Sequence, residues 1–182
     1  MNIEATEKTY KDVLLTIPFL GYKDALNVGY EKAVTSCGMC CIAMILSSKD
    51  NNVHLVDLIH RGHADGGYSE NGWVHDYFVK LLSEYSLPAI RKENIPRQNG
   101  VLEIKNNILK GKPVIVSGRK LFMDQTSFHM VLIVGVQLDN QGNCAGFYYH
   151  DPAILNKITG SYRFVSIDQF QQYWRQMAIM LE

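Results

Sequence analysis

The chain has 182 residues, 47% of them hydrophobic, and its 18 basic and 18 acidic residues give a formal net charge of zero. A chain of this length can bury about 70% of the surface that it exposes when unfolded, so we expect a single domain over residues 1–182, with a loose segment over residues 1–12. The charge balance excludes a global field that would attract nucleic acid or an acidic membrane, and no basic run with interleaved aromatic residues indicates nucleic-acid binding.

The N-terminal residues 1–8 are polar and lack the basic and apolar regions of a secretory signal. No apolar stretch reaches the length of a membrane span, since even residues 130–138 are interrupted by Gly135 and Gln137. We therefore expect a cytoplasmic protein with no membrane insertion. The sequence does not indicate the oligomeric state.

The first half of the chain is predicted to be mainly helical. Apolar spacing and turn residues predict, in order, a short strand at 13–17, a helix from 37 to about 47, a helix around 53–59, a loop over 61–72, a helix from 73 to 85 and a helix over 102–109.

The second half of the chain is predicted to be mainly β-structure. The predicted elements are strands at 113–117, 130–138 and 145–149, a turn at 139–142 that makes the last two a hairpin, a helix from a capping box at Ser166 through Trp174, and a closing strand at 178–181. Helices followed by antiparallel strands indicate an α+β fold.

Cys37 stands at the predicted start of a helix, directly after the candidate N-cap residues Thr35 and Ser36. Unpaired N–H groups and the helix dipole favour the thiolate form of a cysteine in this position. The same groups can stabilise an oxyanion. The alternative is a small buried hydrophobe, which is our interpretation of Cys40 and Cys41.

A base and a carboxylate follow in the β-rich half. His129 enters the predicted strand at 130–138, and Asp151 comes at the end of the next strand. Together with Cys37 they form a candidate Cys-His-Asp set for nucleophilic catalysis. A redox role for the Cys37 and Cys40 pair is the weaker alternative, because residues 22–34 do not read as the strand that precedes such a motif.

At this point the ordered segments resemble a known family. Residues 31–38 with the helix after them, residues 111–116, the strand led by His129, and residues 150–153 are similar to the papain-like cysteine peptidases that process double-glycine bacteriocin leaders, and to their free-standing bacterial relatives. The resemblance implies a papain-like α+β fold in which an N-terminal helical layer, including the nucleophile helix, packs on a C-terminal antiparallel sheet.

The resemblance also implies roles for particular residues: Cys37 as nucleophile, His129 as general base and acid, and Asp151 as the group that orients the imidazole. The position that usually holds an oxyanion-binding glutamine is occupied by Glu31, and an ionised glutamate cannot donate a hydrogen bond there. Gln125 is a conceivable replacement.

Two further residues are candidates for the substrate cleft. Residues 72–75 resemble the loop-to-helix segment of the free-standing relatives, which makes Trp73 and His75 cleft candidates. A core position for Trp73 and a capping or core hydrogen-bonding role for His75 are the alternatives.

The sequence therefore predicts a cysteine peptidase or amidase that acts on a peptide or related amide and needs no metal or organic cofactor. An acyltransferase would use the same thiol and acyl-enzyme with a different second nucleophile. A weak or inactive peptide-binding relative is the other alternative, and Glu31 is the residue that favours it.

Overall fold

The structure is a computed structural model that describes residues 9–182. Its strands are β1 (Lys11–Leu14), β2 (Tyr68–Ser69), β3 (Gly72–Trp73), β4 (Ala89–Lys92), β5 (Val114–Arg119), β6 (Phe128–Leu138), β7 (Cys144–His150), β8 (Arg163–Ser166) and β9 (Trp174–Leu181). Its α-helices are α1 (Tyr30–Ala33), α2 (Cys37–Ser47), α3 (Leu55–Ala64), α4 (His75–Glu84), α5 (Arg97–Leu109), α6 (Lys157–Gly160) and α7 (Ile167–Tyr173). Short 3-10 helices cover Tyr22–Val28 and Lys120–Phe122.

The main sheet is antiparallel, with strand order β4-β9-β5-β6-β7-β8, and β1 pairs with β6 beyond the end of β5. The long strand β6 lies at its centre. Leu132 of β6 pairs with His150 of β7, so the start of β6 and the end of β7 meet at one end of the sheet. This register brings His129 and Asp151 together.

Helices cover both faces of the main sheet. Alternate residues of a strand point to opposite faces, and in β5 Ile115 packs with α2, α3 and α4 while Val114 and Val116 pack with α5 and α7. Helix α2 is apolar all round and is buried from Gly38 to Leu46, as expected for a helix enclosed by other elements.

The predicted α+β arrangement is confirmed, with a helical N-terminal layer packed on an antiparallel sheet. Helix α2 and the hairpin of β6 and β7 lie where they were predicted. The predicted loop over 61–72 is wrong in part, because α3 continues to Ala64 and β2 pairs with β3. Trp73 and Trp174 were predicted to be helical and instead belong to strands β3 and β9.

The predicted loose segment over residues 1–12 lies outside the described residues as far as residue 8. Lys11 and Asp12 belong to β1, which pairs with the far end of β6, so the prediction is wrong for these two residues. In the described part of the chain, no helix combines the length and the apolar character that a membrane span requires.

Candidate active site

Cys37 is the first residue of α2, and the residue is half-buried. Ser36 occupies the N-cap position as predicted, but its hydroxyl donates to the Ala33 carbonyl at 2.6 Å and makes no capping hydrogen bond. The Thr35 hydroxyl also donates to carbonyls of α1. The expected side-chain cap is therefore wrong, and the Ser36 side chain does not replace the intrahelical acceptor that the N–H groups of the first turn lack.

His129 joins the thiol to a buried carboxylate. Its Nε2 lies 2.7 Å from Asp151 Oδ1, and the imidazole also contacts the thiol of Cys37. Because Nε2 faces the carboxylate, Nδ1 is the ring nitrogen that remains to exchange a proton with the sulfur. The structure thus brings together the three residues that the sequence singled out.

The electrostatics of these contacts favour a charged pair. Burial raises the pKa of the Cys37 thiol, but the contact with His129 and its charge, with the backbone N–H groups of Met130 and Gly38, outweigh burial and lower that pKa below its ordinary value. Burial lowers the pKa of His129, and Asp151 and Cys37 together reverse this and raise it to about 10. These contacts therefore favour the thiolate and imidazolium over the neutral thiol and imidazole.

Asp151 is fully buried just beyond the end of β7. Its Oδ1 accepts hydrogen bonds from His129 and from the Ala153 N–H at 3.0 Å, while Oδ2 has no hydrogen-bond partner among the described residues. Burial raises the pKa of this carboxyl, and the hydrogen bond and charge of His129 more than offset the rise. The imidazolium is thus the main compensation for a buried negative charge.

The other three cysteines differ from Cys37 in environment. Burial raises the pKa of Cys40 and Cys41 well above the ordinary thiol value, and it raises the pKa of Cys144 to about 12. All four cysteines are free in the structure. Only Cys37 has an activating partner, so it is the one nucleophile candidate among them.

Two cavities adjoin each other at His129. The smaller one, of about 310 Å³, is bordered by Cys37, and the larger one, of about 1490 Å³, is bordered by His129 but not by Cys37. Tyr22, Val34, Phe128 and His129 border both cavities. The thiol therefore borders the smaller cavity, and the larger cavity adjoins it at these four shared residues.

Two of the three predicted cleft residues border a cavity, and the third does not. Trp73 and His75 border the smaller cavity beside Cys37, and the Trp73 indole N–H also donates to the Thr35 carbonyl at 2.9 Å. Gln125 is exposed on the loop before β6 and borders neither cavity. The same is true of Glu31, whose side chain is exposed on α1.

Tyr22 is a residue of this region that sequence reasoning missed. It begins the 3-10 helix Tyr22–Val28, is buried, and its hydroxyl contacts the sulfur of Cys37. Its ring meets the His129 ring edge-on, with centroids 6.3 Å apart. The sequence around Tyr22 has no clear period or motif, so only the folded chain reveals this neighbour.

Comparisons with solved structures find the same fold. A protein described as a C39-like peptidase from Bacillus anthracis aligns with a TM-score of 0.67 and 15% identity, covering 94% of this chain and 98% of that one. A double-glycine motif protease from an AMS/PCAT transporter, solved with a leader peptide, aligns with a TM-score of 0.60 and 18% identity, covering 92% of each chain. The peptidase domain of Streptococcus ComA, a bifunctional ABC transporter, aligns with a TM-score of 0.56 and 14% identity, covering 81% of this chain and 90% of that one.

These alignments show a papain-like fold of the C39 type. A search of curated proteins finds no match. The profile described as "Peptidase_C39 like family" matches residues 15–179, which is nearly the whole chain. Fold and profile together make this a cysteine peptidase-like protein, and the chain belongs to the Peptidase_C39 like family.

Proposed function

We propose that the chain is a cysteine peptidase or amidase that cleaves a peptide bond or related amide through an acyl-enzyme. Cys37 is the nucleophile, His129 transfers the proton, and Asp151 holds the imidazole in the required tautomer. The single observation that carries the proposal is the thiol with a lowered pKa beside an imidazole that a buried carboxylate orients at 2.7 Å.

The reaction has two steps. The Cys37 thiolate attacks the carbonyl carbon, and the electron pair of the C=O bond moves to the oxygen. When the tetrahedral intermediate collapses, the C–N bond breaks and the imidazolium of His129 gives its proton to the leaving amine. His129 then takes a proton from water, which attacks the acyl-enzyme and releases the acid and the thiol.

A peptide substrate is supported by the shape of the site and by one relative. Cys37 borders the smaller cavity and His129 borders both, so groups on both sides of a scissile bond have space near the thiol and the imidazole. Phe128 and Leu155 border the larger cavity with exposed apolar side chains. The transporter protease of similar fold was solved with a leader peptide bound.

The interpretation as an inactive relative depended on a carboxylate at the oxyanion position. The Glu31 side chain is exposed and borders neither cavity, so its carboxylate does not line the space beside the thiol. We therefore propose an active enzyme.

The test combines thiol labelling with peptide cleavage. We expect iodoacetamide to modify Cys37 fastest of the four cysteines, at a pH below the ordinary thiol pKa, and we expect His129→Ala to abolish this preference. Cys37→Ala should remove cleavage of a fluorogenic peptide library. Cys144→Ala is the matched control, because it removes a thiol at the start of β7 without touching the site.

Two results would overturn the proposal. If Cys37 of the wild-type protein is labelled only at the rate of a free thiol, its assignment as the nucleophile is wrong. Cleavage that persists in Cys37→Ala would assign the activity to other residues.

A further inference from the structure

Attack on a carbonyl creates an oxyanion that needs hydrogen-bond donors already in place. The backbone N–H of Cys37 is one such donor, since it opens α2 and no side chain caps that helix. A second donor has to come from another element. Glu31 cannot supply it, because its side chain is exposed and outside both cavities.

Tyr22 is positioned to be this donor. It borders both cavities, and its hydroxyl contacts Cys37 Sγ. In the tetrahedral intermediate the sulfur and the oxyanion are bonded to the same carbon. A donor that touches the sulfur therefore needs only a small rotation to reach the oxygen.

The backbone holds Tyr22 in this place. Its N–H donates to the Pro152 carbonyl at 2.9 Å, which ties it to the residue that follows Asp151. At the preceding residue, Gly21, a β-carbon would come within 2.8 Å of the same carbonyl, so a side chain there would push the two segments apart. The Tyr22 ring also packs edge-on against the His129 ring. Tyr22 is thus fixed to both of the other elements that build the site.

The hydroxyl also keeps its proton. Burial raises the pKa of Tyr22 far above the ordinary tyrosine value, and the nearby Cys37, Cys40 and Asp151 raise it further. A phenol in this environment stays neutral at any pH at which the thiolate pair exists. It therefore remains a hydrogen-bond donor toward a developing negative charge.

We propose that the Tyr22 hydroxyl is the side-chain donor of the oxyanion hole and acts together with the backbone N–H of Cys37. This inference rests on the proposed function. In the attack step the S–C bond forms, the π pair moves to oxygen, and the phenol O–H turns from the thiolate to the oxyanion without giving up its proton. Tyr22 is then a catalytic residue.

The test uses two reagents that react with the same thiol in different ways. p-Nitrophenyl acetate acylates Cys37 through a tetrahedral oxyanion, whereas iodoacetamide alkylates it by displacement at a saturated carbon and forms no oxyanion. For Tyr22→Phe, measured where the thiol is fully ionised, we expect acylation to slow by about 10²–10³-fold and alkylation to keep nearly the wild-type rate.

The alkylation rate also reports whether the variant is folded with an intact thiolate pair. Tyr148→Phe is the matched control, because it removes a half-buried hydroxyl that hydrogen-bonds to Gln137 at 3.3 Å. We expect both of its rates to match wild type.

The outcomes separate the inference from the proposed function. Equal slowing of both reactions in Tyr22→Phe would mean that the hydroxyl only tunes the thiolate, and an unchanged acylation rate would mean that it has no role; either result overturns the inference and leaves Cys37 as nucleophile. Wild-type rates no higher than those of a free thiol with both reagents would remove the proposed function itself.

Discussion

Replacing His129 with alanine tests the central interaction of the site through stability as well as reactivity. In wild type, the buried carboxylate of Asp151 is compensated by the imidazolium and by one backbone N–H, from Ala153. His129→Ala leaves the carboxylate buried with that single donor. Removing one member of a buried pair costs about 3–5 kcal/mol.

For a protein of this size, such a loss lowers Tm by about 6–20 °C, at roughly 2–4 °C per kcal/mol. The penalty must also depend on pH. In wild type, the folded-state pKa of Asp151 lies below its ordinary value of 3.8. The ionised carboxylate therefore stabilises the folded protein above pH 3.8, and this contribution is lost as the pH falls through the folded-state pKa.

In the variant the sign reverses, because burial without the imidazolium raises the folded-state pKa of Asp151. The cost of burying this uncompensated carboxylate is absent below pH 3.8 and grows as the pH rises. The free energies of unfolding of wild type and variant should therefore differ most near pH 7. The difference should be smaller at pH 4, where the variant's penalty has disappeared, and should close only below pH 3.8, where wild type loses its own contribution.

The assay is urea unfolding followed by circular dichroism at both pH values. A matched double variant, His129→Ala with Asp151→Asn, removes the charge and should recover most of the loss at pH 7. A stability difference that is the same at both pH values, and is not reduced in the double variant, would refute the assignment of Asp151 as a buried anion that depends on His129.

Three further outcomes follow from the packing and the electrostatics. A β-carbon at Gly38 would lie 2.3 Å from the Phe78 ring, so Gly38→Ala should lower the free energy of unfolding by about 1–3 kcal/mol through overpacking, partly offset by the better helix propensity of alanine. The same change should slow alkylation of Cys37. Urea unfolding measures the stability, and thiol labelling measures the alkylation rate. Gly100→Ala, where the new atom would meet a buried tryptophan ring at 2.2 Å, should destabilise without slowing that reaction. Against pH, labelling of Cys37 should reach half its maximum below the ordinary thiol pKa while Cys144, with its pKa raised to about 12, stays unreactive through pH 9; equal profiles for the two thiols would contradict this.

The sequence was most informative where burial is continuous. Helix α2 and strands β5, β6 and β7 carry long apolar runs because other elements cover them on all sides or on both faces, and such runs are visible without a structure. The short strands β4 and β8 were missed, since each has only four residues at an edge of the sheet and gains its structure from its partner strand.

The candidate site was partly predictable for a similar reason. Cys37, His129 and Asp151 stand at the ends of strongly patterned elements, so they could be singled out as a candidate set from their positions in the sequence. Tyr22 belongs to a 3-10 helix with no repeating pattern, and its place beside the sulfur depends on a hydrogen bond to Pro152, far away in the sequence. Long-range packing of this kind leaves no local signal.

The pairing of β1 with β6 has a consequence for the order in which the protein is made. Strand β1 can find its partner only after residues 135–138 have been synthesised, and the base and carboxylate for Cys37 also come from the second half of the chain. Contacts between residues so distant in sequence form slowly and late. We therefore expect the thiol to leave the ribosome as an ordinary, weakly reactive cysteine. It would gain its reactivity only when β6 and β7 join the sheet, so unfinished or truncated chains would carry no activated nucleophile.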